Sequence, residues 1–181
     1  MPAARRNPGP FGRIGVVGGL VGFLFILTLV AIARPRLENR FVDADRGRAL
    51  DDISVIARAI AAYRSDTGFD PCGLEGARVY GWLRGPGAEP RFDRRPDGDP
   101  GELGWFLEKP FMAGKGNWQG PYLEEVPRDP WGRPYVVVLG EPLGDDGARE
   151  GIVVSAGPDG RVDSDLVGMI PMGDDIATVL D

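Results

Sequence analysis

The sequence predicts an α+β fold in which one long N-terminal helix packs on a small antiparallel sheet, and three observations predict it. Ile14–Ala33 is a run of 20 residues without a charge, and apolar residues then continue at three- and four-residue steps with no real linker between. From Tyr135 onward, short apolar runs alternate with turns rich in Gly and Asp, which is the pattern of hairpin strands. A sheet this small is marginal alone and needs a helix over one face. The one-sided half of the long helix is the available cover.

Residues 1–13 form a basic segment carrying Arg5, Arg6 and Arg13. Residues 14–33 read as a transmembrane helix, because 20 residues at about 1.5 Å rise span roughly the 30 Å hydrocarbon core of a bilayer. A secretory signal would have a shorter apolar stretch ending in small residues, whereas this one ends in Ala-Arg-Pro-Arg. The basic residues before the span favour a cytoplasmic N-terminus and place the body in the periplasm or outside the cell. Gly15, Gly18, Gly19 and Gly22 have the spacing that lets another membrane helix approach closely.

Residues 34–68 form the extramembrane half of the same helix, which Pro35 kinks without ending. Leu50, Ile53, Ile56, Ile60 and Tyr63 mark its apolar face, and Asp45, Arg48, Asp51, Asp52 and Arg58 fall mostly elsewhere on the wheel. Asp66-Thr67-Gly68 with Pro71 beyond supplies the stop.

Residues 69–134 connect the helix to the sheet. Within them, 72–99 is rich in Gly, Pro and Arg and reads as an irregular inserted loop, anchored only by the apolar Val79–Leu83 stretch. Pro100–Lys109 is expected to form a short helix carrying Leu103, Trp105, Phe106 and Leu107. The stretch PRDPWGRPY at 127–135 supplies turn chemistry: Pro130 fixes a corner, Gly132 takes positive φ and Asp129 bonds back to the backbone. Trp118, Tyr122 and Trp131 are expected to seal helix, loop and sheet. Residues 135–181 then hold strands at Tyr135–Leu139, Ile152–Ser155 and Ile176–Leu180, with a polar turn over Gly140–Gly151.

The chain of 181 residues has no His and one Cys. That removes the parts for a Ser-His-Asp triad, a Cys-His dyad, a His-based metal site and a Cys-cluster zinc site. Cys72 reads as a buried small hydrophobe. The net charge is −6, but the first 36 residues hold five arginines and no acid, leaving 16 basic against 27 acidic residues, or −11, on the remainder. An acidic body does not follow phosphate backbones, so nucleic acid is not expected as a partner. No nucleophile–base pair is apparent, and an enzyme is not expected.

Asp159, Asp163, Asp165, Asp174 and Asp175 place five carboxylates in one loop between two predicted strands. Unpaired, they repel one another. A hard cation such as Ca²⁺, which takes roughly six to eight oxygens and tolerates irregular loops, removes that penalty. A solvated acidic turn is the other reading, since turns use Asp and Gly anyway, and the loop lacks the EF-hand pattern.

Several motifs together resemble the major pseudopilin of the bacterial type II secretion system, the general secretion pathway protein G family. They are the apolar helix ending in Ala33–Pro35, ALDDISVIARAIAAYRSDTGFDP at 49–71, GELGWFLEKP at 101–110, WQGPYLEEVPRDPWGRPYVV at 118–137, SAGPDG at 155–160 and DDI at 174–176. The resemblance runs from about Leu20 to Ile176, interrupted by 72–99. It implies a pilin-like fold: a lollipop-shaped subunit anchored in the inner membrane by a single span, with its C-terminal domain in the periplasm. It further implies Ca²⁺ held by Asp159, Asp174 and Asp175 with nearby carbonyls, Asp163 and Asp165 lying in a longer stretch than usual. Subunits of that family self-associate through their N-terminal helices, in contact with lipid, other pseudopilins and the inner-membrane secretion platform. Two departures stand. The family's cleavage glycine and the Phe-Thr-Leu-x-Glu after it are not matched before the span, and 72–99 is extra. The alternative expectation is therefore a permanently anchored, pseudopilin-like periplasmic binding module that does not polymerise.

Overall fold

A computed structural model describes the backbone of residues 11–71, 73–74, 77–78, 81–109, 117–142 and 149–180, and the side chains of 22–25, 28, 42–71, 81–109, 117–140 and 150–180. Helix α1 spans Phe11–Thr67. The chain divides into two compact units, Met1–Asp43 and Ala44–Asp181. In the first, Phe23, Leu24 and Phe25 are exposed. Among the described residues no helix is long and apolar enough to cross a membrane. Most side chains of the predicted span, and the surroundings of Gly15, Gly18 and Gly19, lie outside the described residues, as does Cys72.

In the second unit the helix buries Ala49, Ile53, Ile56, Ala59, Ile60 and Tyr63, a stripe at helical spacing. Leu50, expected on that face, is 50% exposed, and Ala49 takes the buried place beside it. The helix ends as predicted: Gly68 adopts φ +73° and its N–H donates to the Arg64 carbonyl at 2.9 Å. Arg64 then pairs with Asp70 at 2.6 Å across the turn, and the Thr67 hydroxyl donates to the Tyr63 carbonyl.

After a two-stranded hairpin of β1 (Gly73–Leu74) and β2 (Ala77–Arg78), the chain builds a five-stranded sheet. Its members are β3 (Trp82–Arg84), β5 (Pro100–Glu102), β6 (Val136–Pro142), β7 (Arg149–Ser155) and β9 (Ile176–Leu180), in the order β5-β3-β6-β7-β9. The β6–β7–β9 meander is antiparallel, with Val137 opposite Val153 and Val153 opposite Thr178. The sheet as a whole is mixed, since β3 and β5 run parallel. This corrects the purely antiparallel expectation, and the cause is the segment 72–99. Instead of an irregular loop it contributes β3, paired with β6 through Leu83 and Val137, and β4 (Arg91–Phe92), paired in parallel with β8 (Arg161–Val162). The predicted helix over Pro100–Lys109 is likewise shortened: 100–102 is strand, and α2 is one turn, Gly104–Leu107.

Both sheet faces are covered. Leu83, Tyr135, Val137, Leu139, Val153 and Leu180 pack with the helix stripe. Trp82, Val136, Val138, Ile152 and Val154 pack on the other face beneath Phe92, Val162, Leu166 and Met169. A strand buried on both sides reads as a continuous apolar run, and Val136-Val137-Val138-Leu139 is such a run. Trp82, fully buried, meets Phe92 edge-on at 5.4 Å, and its indole N–H donates to the Gly98 carbonyl. The aromatic seals take their expected places. Tyr63 packs edge-on against both Phe106 and Tyr122, Trp118 donates to the Phe106 carbonyl, and the Tyr122 hydroxyl donates to Asp66 on the helix.

Candidate metal centre

The site begins in the turn at 127–135. Asp129 is buried, and both of its oxygens are used. Oδ1 accepts from the N–H groups of Trp131 at 3.1 Å and Arg133 at 2.7 Å, closing the turn, while Oδ2 accepts from the Ser155 hydroxyl at 2.7 Å. Gly132 adopts φ +82°. The Ser155 oxygen in turn accepts from the Gly157 N–H. From the far end of the turn, the Arg133 guanidinium donates to the carbonyls of Gly157 at 2.6 Å and Pro158 at 3.5 Å. The proline-rich turn and the start of the acidic loop are thus tied at three points.

Within the loop the five aspartates divide into three kinds. Asp159, Asp163 and Asp174 each offer one carboxylate oxygen to a cluster in which those atoms lie within 4.8 Å of one another. Asp165 is a turn residue: its Oδ1 accepts from the N–H groups of Val167 and Gly168, and its backbone pairs with Ile170. Asp175 is a buried strut. Its Oδ2 accepts from the N–H groups of Asp163 at 2.8 Å and Ser164 at 2.7 Å and from the Ser164 hydroxyl at 2.7 Å. Burial, above all, raises its proton affinity above the ordinary carboxylate value; the charge of Asp163 adds to this, and the three hydrogen bonds oppose it.

Of the predicted ligands, Asp159 and Asp174 are brought together. Asp175 lies beside the cluster, holding Asp163 by its backbone, and Asp163 completes the trio. Sequence spacing gave no means of ranking five aspartates, because which of them face inward depends on the turns at 159–161 and 165–170. Arg133 carries no signal in the sequence: it sits between a glycine and a proline in a turn, and only the fold reveals the carbonyls it reaches.

Two features bear on whether a hard cation fits. Three carboxylates this close repel one another, and the donor set is oxygen only, as such cations require. The Oδ1 atom of Asp175 is buried with no hydrogen-bond partner among the described residues, a state that costs free energy unless an ion or donor meets it. The loop is also packed so closely that side chains are excluded at two glycines. A Cβ on Gly157 would lie 2.6 Å from the Asp174 carbonyl oxygen, and one on Gly173 would lie 2.7 Å from the Asp163 carboxylate. Both have positive φ, +58° and +66°, a region that favours glycine. The residues present fit a hard cation. The counter-charge nearest Asp163 is Arg161, whose Nε lies 3.1 Å from Asp163 Oδ1 while the same guanidinium pairs closely with Asp93.

Comparison with known proteins covers the same region. Residues 93–168 match the family described as Type II secretion system (T2SS), protein G. That span begins just after β4 and takes in β5, α2, the turn, β6, β7, β8 and the first part of the acidic loop, ending before β9. The Type II secretion system core protein G of Escherichia coli (strain K12) is 27% identical over 143 residues, 79% of this chain and 79% of that protein. The proline-rich turn and the first part of the acidic loop lie within the matched span, and the chain is similar there to the protein G family of type II secretion pseudopilins.

Proposed function

We propose that the chain is a structural subunit of a type II secretion pseudopilus, assembling through its N-terminal helix to help drive protein export. On this reading residues 14–33 anchor it in the bacterial inner membrane and residues 44–181 lie in the periplasm. Its partners are further copies of itself, other pseudopilins, the inner-membrane platform and lipid. The observation that carries the reading is the protein G match over residues 93–168, a span that takes in the proline-rich turn and the first part of the acidic loop. The acidic loop is read as a Ca²⁺ site with Asp159 and Asp174 as ligands, joined by Asp163 whose carboxylate converges with theirs, and with Asp175, the third expected ligand, bracing the Asp163 backbone beside them. The ion's part is electrostatic: it neutralises carboxylates that otherwise push the loop apart.

Overproduction together with the secretion machinery of the native cell tests assembly. Sheared filaments containing the chain, seen by electron microscopy and identified by mass spectrometry, are the expected result. Protein that stays in the membrane fraction, with an N-terminus that is intact or merely trimmed of Met, would instead support the anchored binding module.

A further inference from the structure

The acidic cluster does not face only a prospective ion; it already faces an arginine. Arg161 sits on β8, and parallel pairing with β4 fixes that strand against the inserted segment: the Arg91 N–H donates to the Gly160 carbonyl at 3.0 Å and the Asp93 N–H to the Val162 carbonyl at 3.1 Å. Val162 is buried, so Arg161, its neighbour on the strand, is turned to the solvent side. There its guanidinium spans two carboxylates, pairing closely with Asp93 Oδ1 on one side and lying 3.1 Å from Asp163 Oδ1 on the other. Its backbone N–H also donates to Asp159 Oδ1 at 2.8 Å. Two of the three cluster carboxylates are therefore engaged by this one residue.

We infer that Arg161 is the resident counter-charge of the acidic cluster, and that the Asp93–Arg161 pair sets how strongly the cluster takes a divalent cation. A guanidinium cannot give up its proton in a protein, so a cation entering the cluster must displace it from Asp163 or bind against its repulsion. Asp93, just after β4, gives the displaced guanidinium somewhere to go. The β4 end thereby tunes the site without touching the ion. The inference takes its ligand from the Ca²⁺ reading above.

The test uses the full chain in detergent micelles, with Ca²⁺ titrated calorimetrically and the unfolding midpoint measured in chelator. Arg161→Gln is expected to tighten Ca²⁺ binding by about tenfold, the scale of removing one nearby positive charge from a partly solvated site. It is also expected to lower the midpoint in chelator, because Asp163 then lacks its partner. A merely structural residue would not move those two readouts in opposite directions. Arg161→Lys, which keeps the charge, should stay near wild type in affinity. Asp93→Asn should weaken binding, because the guanidinium is left to Asp163 alone. Unchanged or weaker affinity in Arg161→Gln with wild-type binding intact overturns the inference and leaves the Ca²⁺ reading standing. So does an equal gain in Arg161→Lys. Binding by Arg161→Gln but not by wild type supports the inference and sinks the Ca²⁺ reading. Binding by neither overturns both.

Discussion

Asp129 is 3% exposed yet carries three hydrogen bonds on two oxygens, and this explains how a stretch with little regular structure holds its shape. Asp129→Ala would remove the acceptor for two backbone N–H groups and the Ser155 hydroxyl together, all in a region closed to water. The expected loss is about 3 kcal/mol by chemical denaturation, the range for breaking a buried charged network. Tyr135 is a second buried polar point, donating its hydroxyl to Asp52 Oδ2 at 2.9 Å. Burial first, and then that bond, holds the phenol well above its ordinary value of 10.0. The unfolded chain therefore releases this proton before the folded chain does. Stability is unaffected by Tyr135 ionisation below pH 10 and falls as pH rises past it. Tyr135→Phe is expected to cost about 1 kcal/mol at pH 7 and to flatten the alkaline decline, read from melts between neutral pH and the alkaline limb.

At the scale of elements, the helix and the meander were legible because their periods are strong. The 3.6-residue stripe from Ile53 to Tyr63 and the runs at 136–139, 152–155 and 176–180 all became what they predict. The 72–99 segment was not legible. A strand of three residues such as Trp82–Arg84 has no room to show a period, and its stability comes from Val137 alongside and Phe92 above rather than from its own sequence. The same lack of local signal hid β4, β5 and β8, each two or three residues long. If the segment is integral to the head, Trp82→Ala must behave as a core mutation. The expected cost is about 3–5 kcal/mol, with lost cooperativity in the thermal transition. A change under about 0.5 kcal/mol would mean that the segment is a dispensable appendage.

At the scale of the whole molecule, the proposed Ca²⁺ reading links stability to loading. A ligand that binds only the folded state stabilises it by about 2.7 kcal/mol at a hundredfold excess over its dissociation constant. Chelation is therefore expected to lower the unfolding midpoint of the full chain by several degrees, and Asp159→Ala or Asp174→Ala to abolish the response. A melt that is identical with and without chelator would remove Ca²⁺ from the account.

The sequence by itself determined the long helix, its buried stripe and its stop at Gly68, the meander that the helix covers, and the turn centred on Asp129. Each of these rests on neighbours a few residues apart, where periodicity and turn chemistry act. Only the tertiary structure decided that 72–99 joins the sheet, that Asp163 joins Asp159 and Asp174 in the carboxylate trio, that Arg133 reaches the loop from the turn, and that Arg161 pairs with Asp93. The joining of β3 to β6 and the Arg133 and Arg161 pairings depend on contacts between residues 24 to 68 positions apart. A one-dimensional pattern carries no signal for a pairing whose partner is set by how the whole chain has folded.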